Sequence, residues 1–467
     1  MLLSTPLPFI EAFINDLDEG LKIHKPDCGL SRIQRGWLGF CLMGIILTNS
    51  VCWARFERVS LGEYKIEALS WMFRKAKIPW EMMLQIGIGI VLRQYGISQG
   101  VLVTDDSDHR RSKETRRLYK THKIKDKSTG GYINGQNIVL LLLVTPKVTL
   151  PVGFEVYQPD SAKQAWRKED KRLQKTGVPK RKRPAAPPDD PKYPNKPQLA
   201  LRLMEQFRTH HCHVKIKAIV ADALYGQAKF MDTAASLFGG VQVISQLRCD
   251  QNIRYRNREQ SLMHYFSKHP GLEQDFSVRG QAPIAVSVRS VRVEVSSHGK
   301  KRFVIALKYF GEKDYRYLVA TDLSWRTLDI IQAYTLRWLV EVFIEDWKSY
   351  EGWAQLAKQT GEEGTSRGLT LSLLLDLSLL LHPRQLACVE NKLPAFTVGS
   401  LQRTIQIEAL LFYIEQLLQT TNPAERLTQL SQSVQEFFFL RPSGKHMIGR
   451  DLGRLESTPA LRHRAAA

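Results

Sequence analysis

The sequence holds few cysteines: Cys28, Cys41, Cys52, Cys212, Cys249 and Cys388, with no CxxC pair among them. Such sparse usage excludes a disulfide scaffold and leaves no cysteine-rich metal framework, and a reducing cytoplasm is the expected compartment. Acid is also short, with 46 Asp and Glu against 67 Lys and Arg, a net charge of +21. An excess of that size calls for a polyanionic partner. Nucleic acid is favoured over an anionic membrane surface, because neutralising phosphates releases condensed counterions. A basic n-region is missing from the start, MLLSTPLPFIEAF, so no secretory signal is expected there. The one long charge-free stretch, 36–54, is interrupted by Thr48, Asn49 and Ser50. It reads as a buried core helix, and no membrane partner is expected. No internal repeat is present.

What is there is a globular chain, 43% hydrophobic, long enough for several domains. Helix-period apolar patterning fills 1–98, for example 66–75. At Gly100 the character changes: Val101-Leu102-Val103 reads as a short buried strand that delivers Thr104-Asp105-Asp106 at its C-terminal end. Further strands are expected at 138–144, 149–157, 214–220 (followed by Ala221-Asp222) and 241–247. Residues 158–197 are proline-rich and carry the basic run Lys180-Arg181-Lys182-Arg183, which predicts a loop or partly disordered insertion. From 283 to 320 alternation dominates, an antiparallel β insert with a turn at Ser297-His298-Gly299. Helices follow at 328–350 and 370–381, then a helical tail.

The decisive stretch is 334–348. At about 100° per residue, Tyr334, Arg337, Glu341 and Lys348 fall on one helix face, while Leu336, Leu339, Val340, Phe343 and Trp347 gather opposite and would bury. A carboxylate between two cations and a phenol suits a metal ion with flanking phosphates. A solvated face laced with i,i+4 pairs is the ordinary alternative for a single helix.

Tyr334, Arg337, Glu341 and Lys348 match the spacing Y-x2-R-x3-E-x6-K. This resembles the YREK signature of DDE-type insertion-sequence transposases, and the resemblance spans about 99–350. It implies a ribonuclease H-like α/β fold: a mixed sheet with an antiparallel β insertion, plus helical N-terminal and C-terminal regions. The expected domains are a helical DNA-binding domain (1–98), a catalytic domain (99–247, with the basic insertion at 158–197, and 328–381), the β-rich insertion (248–327) and a helical C-terminal region (382–467) as a candidate for dimerisation. The family's order of carboxylates falls here on Asp106, Asp222 and Glu341, as catalytic and metal-holding residues. Asp105, Asp106 and Asp108 all stand at the first position, and Asp106 is chosen because Ser107 follows it. Two Mg²⁺ or Mn²⁺ ions are expected, since hard cations take carboxylate oxygens. The implied activity is cut-and-paste transposition, with a hairpin intermediate, on double-stranded DNA: the element's terminal inverted repeats and a target, engaged by a homodimer. An inactive derivative that only binds DNA and a stand-alone nuclease are the alternatives.

Tyr334, Arg337 and Lys348 would position phosphates. Arg110 and Arg111 open a dense basic segment, 110–127, that leaves the first aspartate directly, and DNA-backbone contact is expected there. His210, His211, Cys212 and His213 are adjacent and have no second cluster at zinc spacing, so they read as a helix-to-strand connection.

Overall fold

The periodicity of the first hundred residues becomes five helices: α1 (Pro8–His24), α2 (Arg32–Thr48), α3 (Trp53–Val59), α4 (Ile66–Lys75) and α5 (Trp80–Gln94). The structure is a computed structural model that describes residues 6–60, 63–111, 118–126, 130–277, 283–355, 359–419, 421–425, 427–428 and 431. The chain packs as two compact units, 1–411 and 412–467; everything below concerns the first. In α1 the buried positions Ile10, Phe13, Ile14, Leu17 and Leu21 follow the i, i+3, i+4, i+7 stripe. Helix α2 begins at a capping box, in which Ser31 and Gln34 satisfy each other's backbone N–H groups. It is buried from Trp37 to Ile46, as expected for a core helix. Among the described residues no single helix is long and apolar enough to cross a membrane.

The sheet strands are β1 (Gln99–Arg110), β2 (His122–Lys125), β3 (Tyr132–Val144), β4 (Thr149–Tyr157), β5 (Lys215–Ala221), β6 (Gln242–Leu247), β7 (Asn252–Tyr255), β8 (Arg258–Ser261), β9 (Leu272–Phe276), β10 (Ile284–Val295), β11 (Lys300–Tyr309) and β12 (Arg316–Ala320). Strands β4, β3 and β1 pair antiparallel, and β1, β5 and β6 then pair parallel. Helices α6 (Ser161–Lys175), α7 (Lys196–His210), α8 (Ala228–Leu237), α9 (Leu262–Lys268), α10 (Thr327–Thr335), α11 (Trp338–Ser349) and α12 (Gly361–Leu380) complete the unit's main elements. This mixed α/β sheet, three antiparallel strands followed by two parallel ones with helical regions before and after, is a ribonuclease H-like arrangement. The β insert does not close on itself. Strand β12 pairs with β6, so β12, β11 and β10 extend the same sheet.

Three expectations are corrected. Strand β1 does not stop at the aspartates; it runs to Arg110 because β3 pairs with it as far as Arg110 and Gly135. Residues 161–175 are a helix, not a loop. Lys, Gln, Arg, Glu and Ala are strong helix formers, Asp160 caps the first turn by accepting from Ala162 and Lys163 N–H groups, and within 158–197 all prolines but Pro159 come after the helix ends. Finally, 328–350 is not one helix. At Leu336, Arg337, Leu339 and Val340 the backbone N–H groups bond three residues back rather than four, a 3₁₀-like tightening that separates α10 from α11.

Candidate functional site

The parallel pairing of β1 with β5 ends at Thr104 and Ala221. The next residues are Asp105 and Asp106 on one strand and Asp222 on the other. Three carboxylates therefore lie just past the point where the parallel pairing of β1 and β5 ends, Asp222 beyond the end of β5 and Asp105 and Asp106 still inside β1, close to where open α/β sheets form their crevices. Helix α11 reaches the same place. A cavity of about 710 Å³ is lined by Asp105, Asp106, Asp222, Arg337, Glu341 and Lys348, with Arg110 and Glu345 also on its wall.

Alternation along β1 sends neighbouring side chains to opposite faces. Asp105 faces α11: its Oδ2 accepts from Arg337 Nη1 at 3.0 Å, and Arg337 Nη2 donates to Glu341 Oε1 at 2.6 Å. Asp106 faces the other way, and its Oδ2 accepts from Lys196 Nζ, at the start of α7, at 2.6 Å. Lys196 escapes a sequence reading because only the fold brings α7 to β1. Asp222 accepts from the Leu224 N–H at 2.8 Å and its carbonyl accepts from Ser245 Oγ at 2.5 Å, so it both caps a short 3₁₀ turn and lines the cavity.

Crowding shows in the acidities. Burial, with Asp222 and Asp106 nearby, pushes Asp105 up to about 6. Burial, with Asp106 nearby, also raises Asp222. Tyr334 is buried rather than on the open face, and burial pushes its phenol up to about 12. Its side chain lies close to Arg337 and is not among those that line the cavity. Arg110 pairs with Asp126 at 2.6 Å. Arg111 turns inward to Gln136 at 3.0 Å, and burial lowers its guanidinium to about 10. Of the basic segment that follows, Lys113, Arg116, Arg117 and Lys127 lie outside the described residues. His211 contacts Gln85 at 3.1 Å in the turn between α7 and β5, a connection as expected.

Helix α11 is anchored from behind. Trp347 stacks on Trp353 at 4.8 Å with the rings 5° from parallel, and its indole N–H donates to Ser372 Oγ at 2.7 Å. His109 of β1 contacts the Ala354 carbonyl at 3.1 Å. Burial lowers this imidazole to about 3, so it is neutral and donates its Nε2–H there.

Residues 57–271 match the family model described as DDE superfamily endonuclease. The match supports a DDE-type nuclease. It takes in β1 and Asp222 and ends before Glu341. The search of curated proteins returned no match. Among solved structures, the chain is similar to one described as the crystal structure of the NurA nuclease from Sulfolobus solfataricus, at 9% identity, over 51% of this chain and 72% of that one, with a TM-score of 0.19. At that score the likeness supports no inference.

A DDE-type nuclease uses divalent cations, and the donor set here fits them. The cavity offers carboxylate oxygens and no sulfur, the ligand class of hard cations. Two protein cations already stand in: Arg337 bridges Asp105 and Glu341, and Lys196 sits on Asp106. Among the described residues, no three acidic, histidine or cysteine side chains gather closely enough to enclose an ion as they stand.

Proposed function

We propose that the protein is a transposase that cuts DNA at the ends of a mobile element and joins them to a target. The carrying observation is the cavity where the parallel pairing of β1 and β5 ends, in which Asp105, Asp106 and Asp222 meet Arg337 and Glu341 of the Y-x2-R-x3-E-x6-K stretch. Asp106, Asp222 and Glu341 would hold the metal ions, and Asp105, which shares a cation with Glu341, joins them in this reading. Mg²⁺ or Mn²⁺ bound there would activate the attacking oxygen and stabilise the leaving one. In the first reaction water attacks a phosphodiester, the P–O3′ bond breaks and a 3′ hydroxyl is freed. In the second, that hydroxyl attacks a target phosphodiester and a target 3′ hydroxyl leaves.

The chain's own residues bind and orient. Arg337 and Lys348 present cationic N–H groups to phosphate oxygens from the α11 side, and Arg110 does so from β1. Tyr334 lies buried close to Arg337. The net charge of +21 supports duplex DNA as the partner, and two copies acting on paired ends belong to the same proposal.

The test is Asp222→Asn, with folding checked by circular dichroism. It should bind DNA as the wild type does and lose metal-dependent cleavage; undiminished cleavage refutes the reading. Incubating precleaved ends with a target plasmid then separates a transposase from a nuclease that only hydrolyses. Short inverted repeats bracketing the reading frame would support the mobile-element role.

A further inference from the structure

A second concavity borders the acidic cavity. A groove of about 560 Å³ lies on the α7 side of β1, bounded by Lys123 and Lys125 of β2, Lys163 and Arg167 of α6, and Lys196. It meets the acidic cavity at Asp106, Asp108 and Lys125, which line both.

One wall of the groove is helix α6, whose propensity and Asp160 cap favour a helix but which packs on no core. Helix α6 buries no residue. It is held by its own returning segment: Trp166 Nε1 donates to the Pro184 carbonyl at 2.8 Å, Arg183 pairs with Asp170 at 2.8 Å, and Lys163 pairs with Asp189. Residues 161–183 carry ten Lys and Arg against two acids, Glu169 and Asp170. Isolated helices of this length are marginal in water, and ten clustered cations repel one another. An arm built this way satisfies its charge on something outside the fold.

The groove's acids are already engaged. Asp160 caps α6, Asp189 is paired with Lys163, Asp106 with Lys196, and Asp108 accepts from Asn137 Nδ2. Lys123, Lys125 and Arg167 have no carboxylate partner among the described residues. Two tyrosine rings, Tyr157 and Tyr193, also line the groove, and Lys196 Nζ lies 5.4 Å from the centre of the first.

We propose that this groove carries the phosphate backbone of DNA on its way to the acidic cavity, with the 161–183 arm as one bank and β2 as the other. The proposal rests on the nuclease reading for what happens at the far end, but its own content is the path. Cations on both banks fix the backbone without reading bases, and the tyrosine faces accept a sugar or an unstacked base.

The experiment uses the full chain and a fluorescein-labelled 40-base-pair duplex of arbitrary sequence, titrated across a series of salt concentrations. Arg167→Glu with Lys123→Glu reverses one charge on each bank. Lys215→Glu with Lys217→Glu is the matched control, at the start of β5 and far from Asp222. Each phosphate contact contributes about 0.9 to the slope of log affinity against log salt. The groove pair should therefore flatten that slope by ~2, and the control pair should leave it nearly unchanged. Equal slopes for the two pairs overturn the path. Cleavage by the wild type with Mn²⁺ is measured in parallel. Lost groove dependence with intact cleavage sinks the path alone, while groove-dependent binding with cleavage unaffected by Asp222→Asn sinks the nuclease reading and leaves the path standing.

Discussion

Arg337 donates to Asp105 at 3.0 Å, a contact between residues 232 positions apart in the chain. It ties the helix that carries Glu341 to the first strand of the ribonuclease H-like sheet. The same guanidinium holds Glu341, so one cation sets the spacing of two carboxylates. Arg337→Lys keeps the charge but loses the planar fork that reaches both partners. Cleavage should fall by about 10²-fold, the usual loss when a preorganised donor at a reacting phosphate is removed. Thermal unfolding should shift little, because the pairs at Arg337 are partly solvated. A single-turnover cleavage assay beside a melting curve checks both halves.

The two neighbouring aspartates of β1 face opposite sides, and that makes their substitution informative. Asp105 looks toward α11 and Asp106 toward Lys196. If Asp105 joins the metal-holding set, Asp105→Asn should reduce metal-dependent cleavage as severely as Asp222→Asn. Should Asp105→Asn stay active while Asp106→Asn is dead, the choice resting on Ser107 stands alone. Parallel assays of the three variants decide it.

The strand at 138–144 was legible as an unbroken apolar run bounded by turn residues, and the insert by its strict alternation. Asp222 was legible because it follows the end of β5, and Asp105 and Asp106 because they close an apolar run, although the strand goes on past them. Other features depend on contacts far apart in sequence. Strand β1 continues past Asp106 only because β3 pairs with it there, and Lys196, 90 positions further along the chain, meets Asp106 only after the intervening chain folds back. The insertion misled by composition: prolines clustered near Lys180 hid the helix formers before them. The break at Leu336 and Arg337 is a switch in hydrogen bonding that no apolar spacing records.

Behind α11, Glu351 and Asp376 are both buried. Burial, with Asp376 adjacent, holds Glu351 well above the usual carboxylate range, and burial lifts Asp376 to about 7. The folded chain thus keeps protons that the unfolded chain releases near pH 4. That contribution is fully present below pH 4 and is lost as pH rises toward about 7. Asp376→Asn removes one titrating group while keeping the shape. The variant should melt later than the wild type at pH 8, on the order of a few °C, with the gap closing at pH 5. A gap independent of pH would show that the pair does not titrate with folding.

The anchoring of α11 depends on Trp347, which is fully buried between Phe343 and Trp353. Trp347→Ala removes that ring and leaves Ser372 Oγ without its donor. The expected cost is about 3–5 kcal/mol, read as a lower urea midpoint. Trp347→Phe keeps the stack and loses the indole hydrogen bond, at about 1 kcal/mol. Cleavage at a temperature where both variants are folded should fall more for the alanine, because Glu341 rides on the same helix.

The loop that carries Asp222 is pinned at Gly226. Its carbonyl lies 2.9 Å from His298 Nε2, and Arg302 Nε donates to the other ring nitrogen at 3.1 Å. Because Arg302 has only protons to give, His298 Nδ1 is the acceptor and Nε2 carries the proton donated to Gly226. Gly226 itself lies so close to β6 that a Cβ there would meet the Gln246 carbonyl at 2.3 Å. Neither backbone can yield cheaply, so Gly226→Ala should shift the loop and cost about 1–3 kcal/mol. A 1 Å displacement of a reacting group is enough for a loss of about 10²-fold, so cleavage should drop even at temperatures where the variant is fully folded. His298→Ala releases the same carbonyl without the clash, and its effect on cleavage should be smaller in the same direction. If Gly226→Ala cleaves at the wild-type rate while folded, the position of this loop does not govern the chemistry at Asp222.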